Sequence, residues 1–233
     1  MNEHLTPSHL QPTQILNSTH PLLVHFTQHI LAERPTSERH FVQLAHQRLS
    51  EQLAPVYTLR ERQAASTIFA RGRGSCSQRM AVLEAVARCA SIGTRSHALW
   101  IDGQFWSTRF PRWRHVLPHR VLLAWPEFFL DGRWVDFAEL YDSLPELAEH
   151  HREGFTNATG ETLFEAVSRT AVDWYGQTRC LSTAPSCDLS SFVLVDGGIF
   201  ASRDAVFDRY GLFLHQPGGC LFEMLFGGQK AAA

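Results

Sequence analysis

The chain has 233 residues, a net charge of −2 at neutral pH and 44% hydrophobic residues. This composition is typical of a globular protein that is long enough to bury a substantial core. No apolar run reaches the roughly 18 residues that would span a bilayer, and the amino terminus lacks the basic and apolar regions of a secretion signal. We therefore expect one cytoplasmic domain over residues 1–233 that does not bind membranes.

The cysteines and histidines favour neither a metal site nor a disulfide framework. The five cysteines form no Cys-x-x-Cys pair, and an odd number suits reduced thiols. The amino-terminal histidines form no His-x-x-x-His pair on a clear inner face, so surface histidines are the simpler interpretation. We expect no metal and no cofactor.

Positive charge is concentrated in the middle of the chain. Arg60 to Arg120 contains eleven arginines and three acidic residues, which makes this third strongly basic and the remainder acidic. Scattered, solvated arginines would explain this, but an acidic partner or substrate that docks over the site would also explain it. Nucleic acid is disfavoured because the rest of the chain is acidic and carries no nucleic-acid-binding motif.

In chain order, residues 1–20 are polar and interrupted by prolines, which predicts a loosely held arm. Two helical patterns follow, one opening at Pro21 and the other at Thr36 or Ser37. They complete a helical amino-terminal segment over residues 1–58, which we expect to cover the core.

The next helix follows a glycine-rich stretch that ends in Ser75-Cys76. Gly72 and Gly74 permit a tight turn, Ser75 is a good helix cap, and apolar residues then recur at helical spacing to about residue 91. Cys76 would lie in the first turn, where the helix dipole and unpaired N–H groups favour a thiolate. The pattern thus predicts a cysteine nucleophile, although a small buried hydrophobic residue is the alternative. Cys89 faces elsewhere and is interpreted as core.

After this helix the hydrophobic period changes to that of strands. Residues 96–101 and 116–130 are strand candidates, and Asp131-Gly132 predicts a hairpin turn into residues 133–137. Pro126 implies a strand edge or a bulge. The fold class is therefore α+β, with the cysteine-bearing helix packed on a small antiparallel sheet.

The carboxy-terminal part, residues 139–233, reads mainly as helical. It contains helical patterns at 143–152 and 162–176, a short strand at 191–195 ending at Asp196, and a short helix that Ser202 caps. We expect this part to shape a pocket. Five phenylalanines could line the pocket or belong to the core: Phe200, Phe207, Phe213, Phe222 and Phe226.

A helix-borne cysteine followed by an antiparallel sheet resembles the papain-like transglutaminase superfamily. The likeness is carried by Gly-Arg-Gly-Ser-Cys at 72–76, Ile-Gly-Thr-Arg at 92–95 and the stretch 127–135, and it implies a transglutaminase-like core over residues 59–138. The superfamily's catalytic histidine and aspartate would fall at Leu123 and Ala138. Either catalysis has been lost, or both partners have moved.

Substitutes for both partners are available nearby. His115 and His119 lie on the same strand face as the superfamily's histidine position, and the only acids between Cys76 and these histidines are Glu84 and Asp102. A coherent triad is Cys76 as nucleophile, His115 as base and Asp102 as the residue that orients the base.

Each of these assignments has an alternative. Asp102 precedes a glycine and could be a turn residue, and His119 competes with His115 for the role of base. Asp136 would orient the base if the usual order held, whereas His97 is expected to be packed. The oxyanion hole would use the backbone N–H of the nucleophile, aided by Gln78 or Gln104.

The order Cys, Asp, His on such a core resembles the discrete Dieckmann cyclases, which release tetramate and pyridone antibiotics from carrier-protein assembly lines. The resemblance implies that a β-ketoacyl-aminoacyl chain moves from a carrier's phosphopantetheine thioester to Cys76 and then cyclises. Alternatives are an amide-forming transglutaminase homologue, a cysteine peptidase, or a degenerate binding module without activity. The oligomeric state is left open.

Overall fold

The computed structural model describes residues 4–112, 117–150, 154–157, 160–178, 188–215 and 217–231. Within these ranges the chain is α+β, with a four-stranded antiparallel sheet and a two-stranded parallel pair. The helices there are α1 (Pro21–Ala32), α2 (Glu38–Gln52), α3 (Ala65–Arg71), α4 (Cys76–Cys89), α5 (Leu144–His150), α6 (Leu163–Ala166), α7 (Arg203–Tyr210) and α8 (Pro217–Phe226). The strands there are β1 (Ala54–Pro55), β2 (Arg73–Gly74), β3 (Thr94–Asp102), β4 (Arg120–Leu130), β5 (Arg133–Asp136) and β6 (Val193–Phe200).

Helix α4 is the centre of the fold. Every residue from Gln78 to Arg88 is buried, including Met80, Leu83 and Ala87 of the predicted apolar stripe. Helices α1, α2 and α3 pack around it, and β4 lies against it from the sheet. A helix that is buried on all sides belongs to the core, so the predicted packing of this helix on an antiparallel sheet is confirmed.

The charged residues inside α4 are each paired. Glu84 accepts from the Arg203 guanidinium at 2.5 and 3.1 Å, and both side chains are fully buried. Arg88 donates to three backbone carbonyls, and Arg79 pairs with Glu165. Buried charges persist only when they are paired and hydrogen-bonded, so these partners fix how α4 is oriented against its neighbours.

The sheet has the strand order β5-β4-β3-β6, and it contains the predicted hairpin. Asp131 and Gly132 join β4 to β5 with positive φ values of 53° and 80°, as a tight primed turn requires. The strand predicted at 116–130 begins at Arg120 in the described residues. Pro126 pairs with β3 on one side, while β5 covers only residues 127–130 on the other, so the proline lies at a local edge as predicted.

Strand β6 extends beyond its predicted end at Asp196. It runs to Phe200 and pairs along β3, with register shifts in the pairing that absorb the Asp-Gly-Gly sequence. Gly198 adopts a φ of 86°, and a side chain at Gly197 would crowd the backbone of Ala98. The two glycines therefore make an irregular edge strand instead of ending it.

The arm predicted to be loosely held is in fact packed. Ile15 and Leu16 are fully buried, and Thr13 donates to Asp204 of α7 at 2.6 Å. The expectation was wrong for these residues because two adjacent apolar side chains in a polar stretch suffice to anchor it to the core.

The helix predicted at 162–176 ends after four residues, at Ala166. Where the helix ends, the hydroxyls of Ser168 and Thr170 donate to the carbonyls of Glu165 and Ala166 at 2.8 and 3.0 Å. The apolar residues of the pattern are nevertheless buried, Trp174 among them. The spacing thus identified core residues correctly but not their backbone conformation.

The carboxy-terminal part, also predicted to be mainly helical, reaches back to the loop that follows β1. Ala231 donates its N–H to Pro55, and its carbonyl accepts from Tyr57 and Arg109. In α8, Glu223 accepts from the side chain of Thr58 and from the backbone that follows it. These bonds form one wall of the cavity described below.

Candidate functional site

Cys76 is the first residue of α4, and the local sequence fixes it there. Gly72 ends α3 in the left-handed conformation, and Ser75 caps α4 by accepting from the N–H of Gln78 at 3.2 Å. The Gln78 side chain in turn accepts from the N–H of Ser75, which completes a capping box. The N–H groups of Cys76 and Ser77 have no acceptor within the helix, so the thiol lies at the positive end of its dipole.

The Cys76 side chain lines a cavity of about 180 Å³. Most of the lining is apolar and comes from widely separated segments, namely the loop after β1, the start of α4, the turn after β3, strand β4 and the region from α7 to the carboxy terminus. Apolar lining residues include Val56, Leu59, Trp106, Phe110, Leu117, Val121, Leu122, Leu163, Phe207, Leu212, Phe213 and Phe222. Of the five phenylalanines proposed from the sequence, Phe207, Phe213 and Phe222 line the cavity.

Gln78 does not serve as an oxyanion donor in this arrangement. Its side-chain amide donates to the carbonyl of Arg60 at 2.9 Å and to Gln63 at 3.2 Å, and the residue is buried. Gln104 is exposed and is not part of the cavity lining. Gln78 instead holds the loop of residues 58–63 against the start of α4.

Asp102 ends β3, and its carboxylate accepts from the N–H of Gln104 at 2.9 Å. It therefore caps the short 3-10 helix Gly103–Trp106, the turn role that the sequence left open. Its partner across the sheet is Arg120, and Asp102 is not among the residues that line the cavity.

The two candidate bases lie in the connection between the 3-10 turn and β4. His115 lies outside the described residues, so its role stays a prediction. His119 is exposed, and its carbonyl accepts from the N–H of Gly103 at 3.1 Å, while its side chain is not part of the cavity lining. Leu117 and Pro118, two and three residues after His115, do line the cavity.

The positions that the superfamily resemblance assigns to histidine and aspartate carry apolar residues. Leu123 lies on β4 and lines the cavity together with Cys76. Ala138 is buried beside the end of β5, in the short 3-10 helix Phe137–Glu139. The position that the likeness assigns to the base therefore carries a side chain that cannot accept a proton.

The Asp136 side chain forms hydrogen bonds that stabilise the end of β5. One of its oxygens accepts from Trp125 Nε1 and from the N–H of Ala138, both at 2.7 Å. Burial raises the pKa of the Asp136 carboxyl to about 7, although these two hydrogen bonds act in the opposite direction. The side chain is not part of the cavity lining.

Asp136→Asn should change how stability depends on pH. The pKa of this carboxyl rises from 3.8 in the unfolded chain to about 7 in the folded chain. Its contribution to the free energy of unfolding is therefore fully present below pH 4 and is lost as the pH rises to about 7. Asparagine keeps the acceptor oxygen and does not titrate. Chemical denaturation should therefore show that, between pH 4 and pH 8, the free energy of unfolding of the variant rises relative to that of the native protein by up to about 4 kcal/mol.

Asp131→Asn is the matched control, because Asp131 is an exposed turn residue where asparagine also tolerates a positive φ. Its pH profile should run parallel to that of the native protein. An Asp136→Asn profile that also ran parallel would contradict the assignment.

His97 is 8% exposed, which confirms the expectation that it is packed. The sequence did not reveal its partners. One ring nitrogen lies 2.7 Å from Asp196 on β6, and the other lies 2.9 Å from the hydroxyl of Tyr175. These bonds tie β3 to β6 and to the segment after α6.

Two charged residues of the cavity entered the sequence analysis only through the charge count of residues 60–120, in which arginines around Cys76, Arg109 among them, suggested an acidic partner or substrate. Glu61 and Arg109 both line the cavity, and each has a buried atom, Oε2 of Glu61 and Nη2 of Arg109, without a hydrogen-bond partner. Burial raises the pKa of the Glu61 carboxyl, more than a hydrogen bond from Ser77 lowers it. Neither residue belongs to a motif, so only the fold reveals that they share this space with Cys76.

Most arginines of the basic middle third bond to other residues of the same chain. Arg60, Arg62, Arg79 and Arg95 form ion pairs, with Glu223, Asp208, Glu165 and Glu127 respectively. Arg73, Arg112 and Arg120 are exposed. The docking surface inferred from the charge count is therefore smaller than the sequence suggested.

Compared with protein-family models, with curated proteins and with solved structures, the chain gives no match. In the described ranges no three histidine, cysteine or carboxylate side chains are grouped so as to hold a metal ion. None of the helices in those ranges has the length and apolar character needed to cross a membrane.

Proposed function

We propose that this chain is a cysteine-dependent acyl-transfer enzyme. One observation carries the proposal: Cys76 begins a buried, well-capped helix and lies on the wall of an apolar cavity. The N–H groups at the start of a helix have no partner within it, and they can stabilise the oxyanion that forms when a carbonyl is attacked. A purely structural cysteine would not need this combination.

Within this class we propose a Dieckmann cyclase. The Cys76 thiolate attacks the thioester of a β-ketoacyl-aminoacyl chain, and the carrier leaves as its thiol. The base, for which His115 with Asp102 remains our assignment, then removes a proton from the carbon between the ketone and amide carbonyls. That carbanion attacks the Cys76 thioester, so that a C–C bond forms, the C–S bond breaks and the thiol takes back the proton.

The apolar cavity supports cyclisation over hydrolysis. An acyl-enzyme that waits for an internal carbanion must be protected from water, and the walls around Cys76 are mostly aliphatic and aromatic. A cysteine peptidase needs water at the same place. For the carrier, we propose an acidic acyl or peptidyl carrier protein that contacts the exposed Arg112 and Arg120.

The competing proposal is a binding module without catalysis, and the apolar residues Leu123 and Ala138 favour it. It predicts that the cavity binds ligands but that Cys76 never becomes acylated. An amide-forming enzyme differs from the cyclase only in its acceptor, which would be an external amine.

The test uses a synthetic β-ketoacyl-aminoacyl thioester of N-acetylcysteamine. Intact-mass spectrometry should show a transient acyl adduct on Cys76, and chromatography should show a ring product formed with release of one thiol. Accumulation of the free acid instead would indicate a hydrolase, and an amide formed only when an amine is added would indicate a transglutaminase-like enzyme. Absence of any adduct would leave the binding module.

A further inference from the structure

The Arg109 guanidinium is the unusual polar group of the cavity. Its Nε donates to Asn157 at 2.6 Å, and one terminal nitrogen donates to the carbonyl of Ala231 at 3.1 Å. The other terminal nitrogen, Nη2, is buried and has no hydrogen-bond partner. Both partners in the described chain are neutral, although a guanidinium remains charged at every pH at which proteins fold.

Arg109 is partly buried and differs from the fully bonded Arg88 in keeping one buried donor without an acceptor, which is costly. Charge-assisted hydrogen bonds to oxygen are among the strongest that a protein makes, and guanidinium favours oxyanions. Arg109 is among the residues that line the cavity, so a rotation of its guanidinium that exposes Nη2 would bring this open donor to an oxygen of a bound molecule.

The surroundings restrict what else that molecule can be. Trp106 and Phe110 flank Arg109 in sequence and also line the cavity, as do Leu122 and Phe213 from other segments. The rest of the ligand must therefore be apolar. Glu61 also lines the cavity, and burial raises the pKa of its carboxyl, so it opposes a bound anion less than an exposed carboxylate would.

We propose that the cavity binds an apolar acyl chain carrying an anionic oxygen, either a carboxylate or the enolate of a 1,3-dicarbonyl, and that Arg109 Nη2 binds this oxygen. The inference rests on the proposed function in one respect, since it uses the cavity of Cys76. It would give the cyclase a group that binds the enolate as the carbanion forms. Binding itself does not require that Cys76 react.

The experiment measures binding by calorimetry to the Cys76→Ala variant, so that no chemistry intervenes. The probes are octanoate, the neutral 1-octanol, and 2-octanoylcyclohexane-1,3-dione, which is an enolate at pH 8. Both anions should bind about 10- to 100-fold more tightly than the alcohol. A preference for the dicarbonyl would identify the enolate as the natural group, and a preference for octanoate would identify a carboxylate.

Adding Arg109→Met should remove the preference for the two anions over 1-octanol, and Arg109→Lys should restore part of that preference. Arg133→Met is the matched control, because Arg133 is exposed on β5 and does not line the cavity. Equal affinities for octanoate, enolate and alcohol in the parent protein would overturn the proposal even if the Arg109 variants failed to fold. If the thioester assay showed no acyl adduct on Cys76, the proposed reaction would be contradicted, whereas the preference for anions measured by calorimetry would still stand.

Discussion

Cys76→Ala should abolish the covalent acyl adduct and lower ring formation by about 10³-fold or more, since removal of a nucleophile eliminates the step that it performs. Alanine is an excellent helix former, and the caps of α4 come from Ser75 and Gln78, which the substitution leaves intact. The expected change in stability is therefore small. The measurements are intact mass and turnover with the β-ketoacyl-aminoacyl thioester, alongside thermal unfolding.

Two other cysteines serve as controls. Cys89 donates its thiol to the carbonyl of Ser18, and burial raises its pKa, so Cys89→Ala should leave the adduct unchanged. Cys220 is exposed and reachable by reagents, so Cys220→Ala shows whether accessibility alone accounts for acylation. An adduct that persisted in Cys76→Ala would show that Cys76 is not the nucleophile.

Glu84→Gln should destabilise the protein by about 3–5 kcal/mol, because it leaves the Arg203 guanidinium buried without its counter-charge. Both side chains are fully buried, and the carboxylate bonds two guanidinium nitrogens. Urea denaturation at pH 7 would measure the loss. Glu33→Gln is the matched control, since Glu33 forms a surface pair with Arg48 that water and salt screen, and the variant should lose much less stability than Glu84→Gln.

The Glu84→Gln variant should also affect the site. Arg203 donates to the carbonyl and the hydroxyl of Ser77, the residue after Cys76, so the ion pair helps to hold the first turn of α4. The double replacement Glu84→Met with Arg203→Met tests this separately, since it removes both charges. If the double variant is as stable as the native protein but does not regain turnover, Arg203 has a positioning role. If Glu84→Gln alone is as stable as the native protein, the buried pair does not contribute as proposed.

The parts of the fold that could be predicted are those that depend on residues close together in the sequence. The cap at Ser75, the periodicity of α4 and the Asp131-Gly132 turn each depend on neighbouring residues, and all three are confirmed. The length of α6 could not be predicted, because the hydroxyls of Ser168 and Thr170 bond the carbonyls at its end, and such side-chain bonds compete with helix formation.

The site was less predictable than the fold. Cys76 carried a local signal, but Glu61 and Arg109 belong to no motif and meet the cysteine only because distant segments assemble one cavity. Asp102 was chosen because it lies between Cys76 and His115 in the chain, but in the structure its carboxylate caps a short 3-10 helix. Spacing along a sequence identifies elements, whereas the convergence of side chains is a property of tertiary packing.

The bonds of Glu223 and Ala231 to the loop after β1 have a practical consequence. Because these bonds hold the last described turn against that loop, a deletion that removes α8 and Ala231 would open one side of the cavity. A truncated form of this chain that lacks them would therefore be unsuitable for ligand-binding measurements.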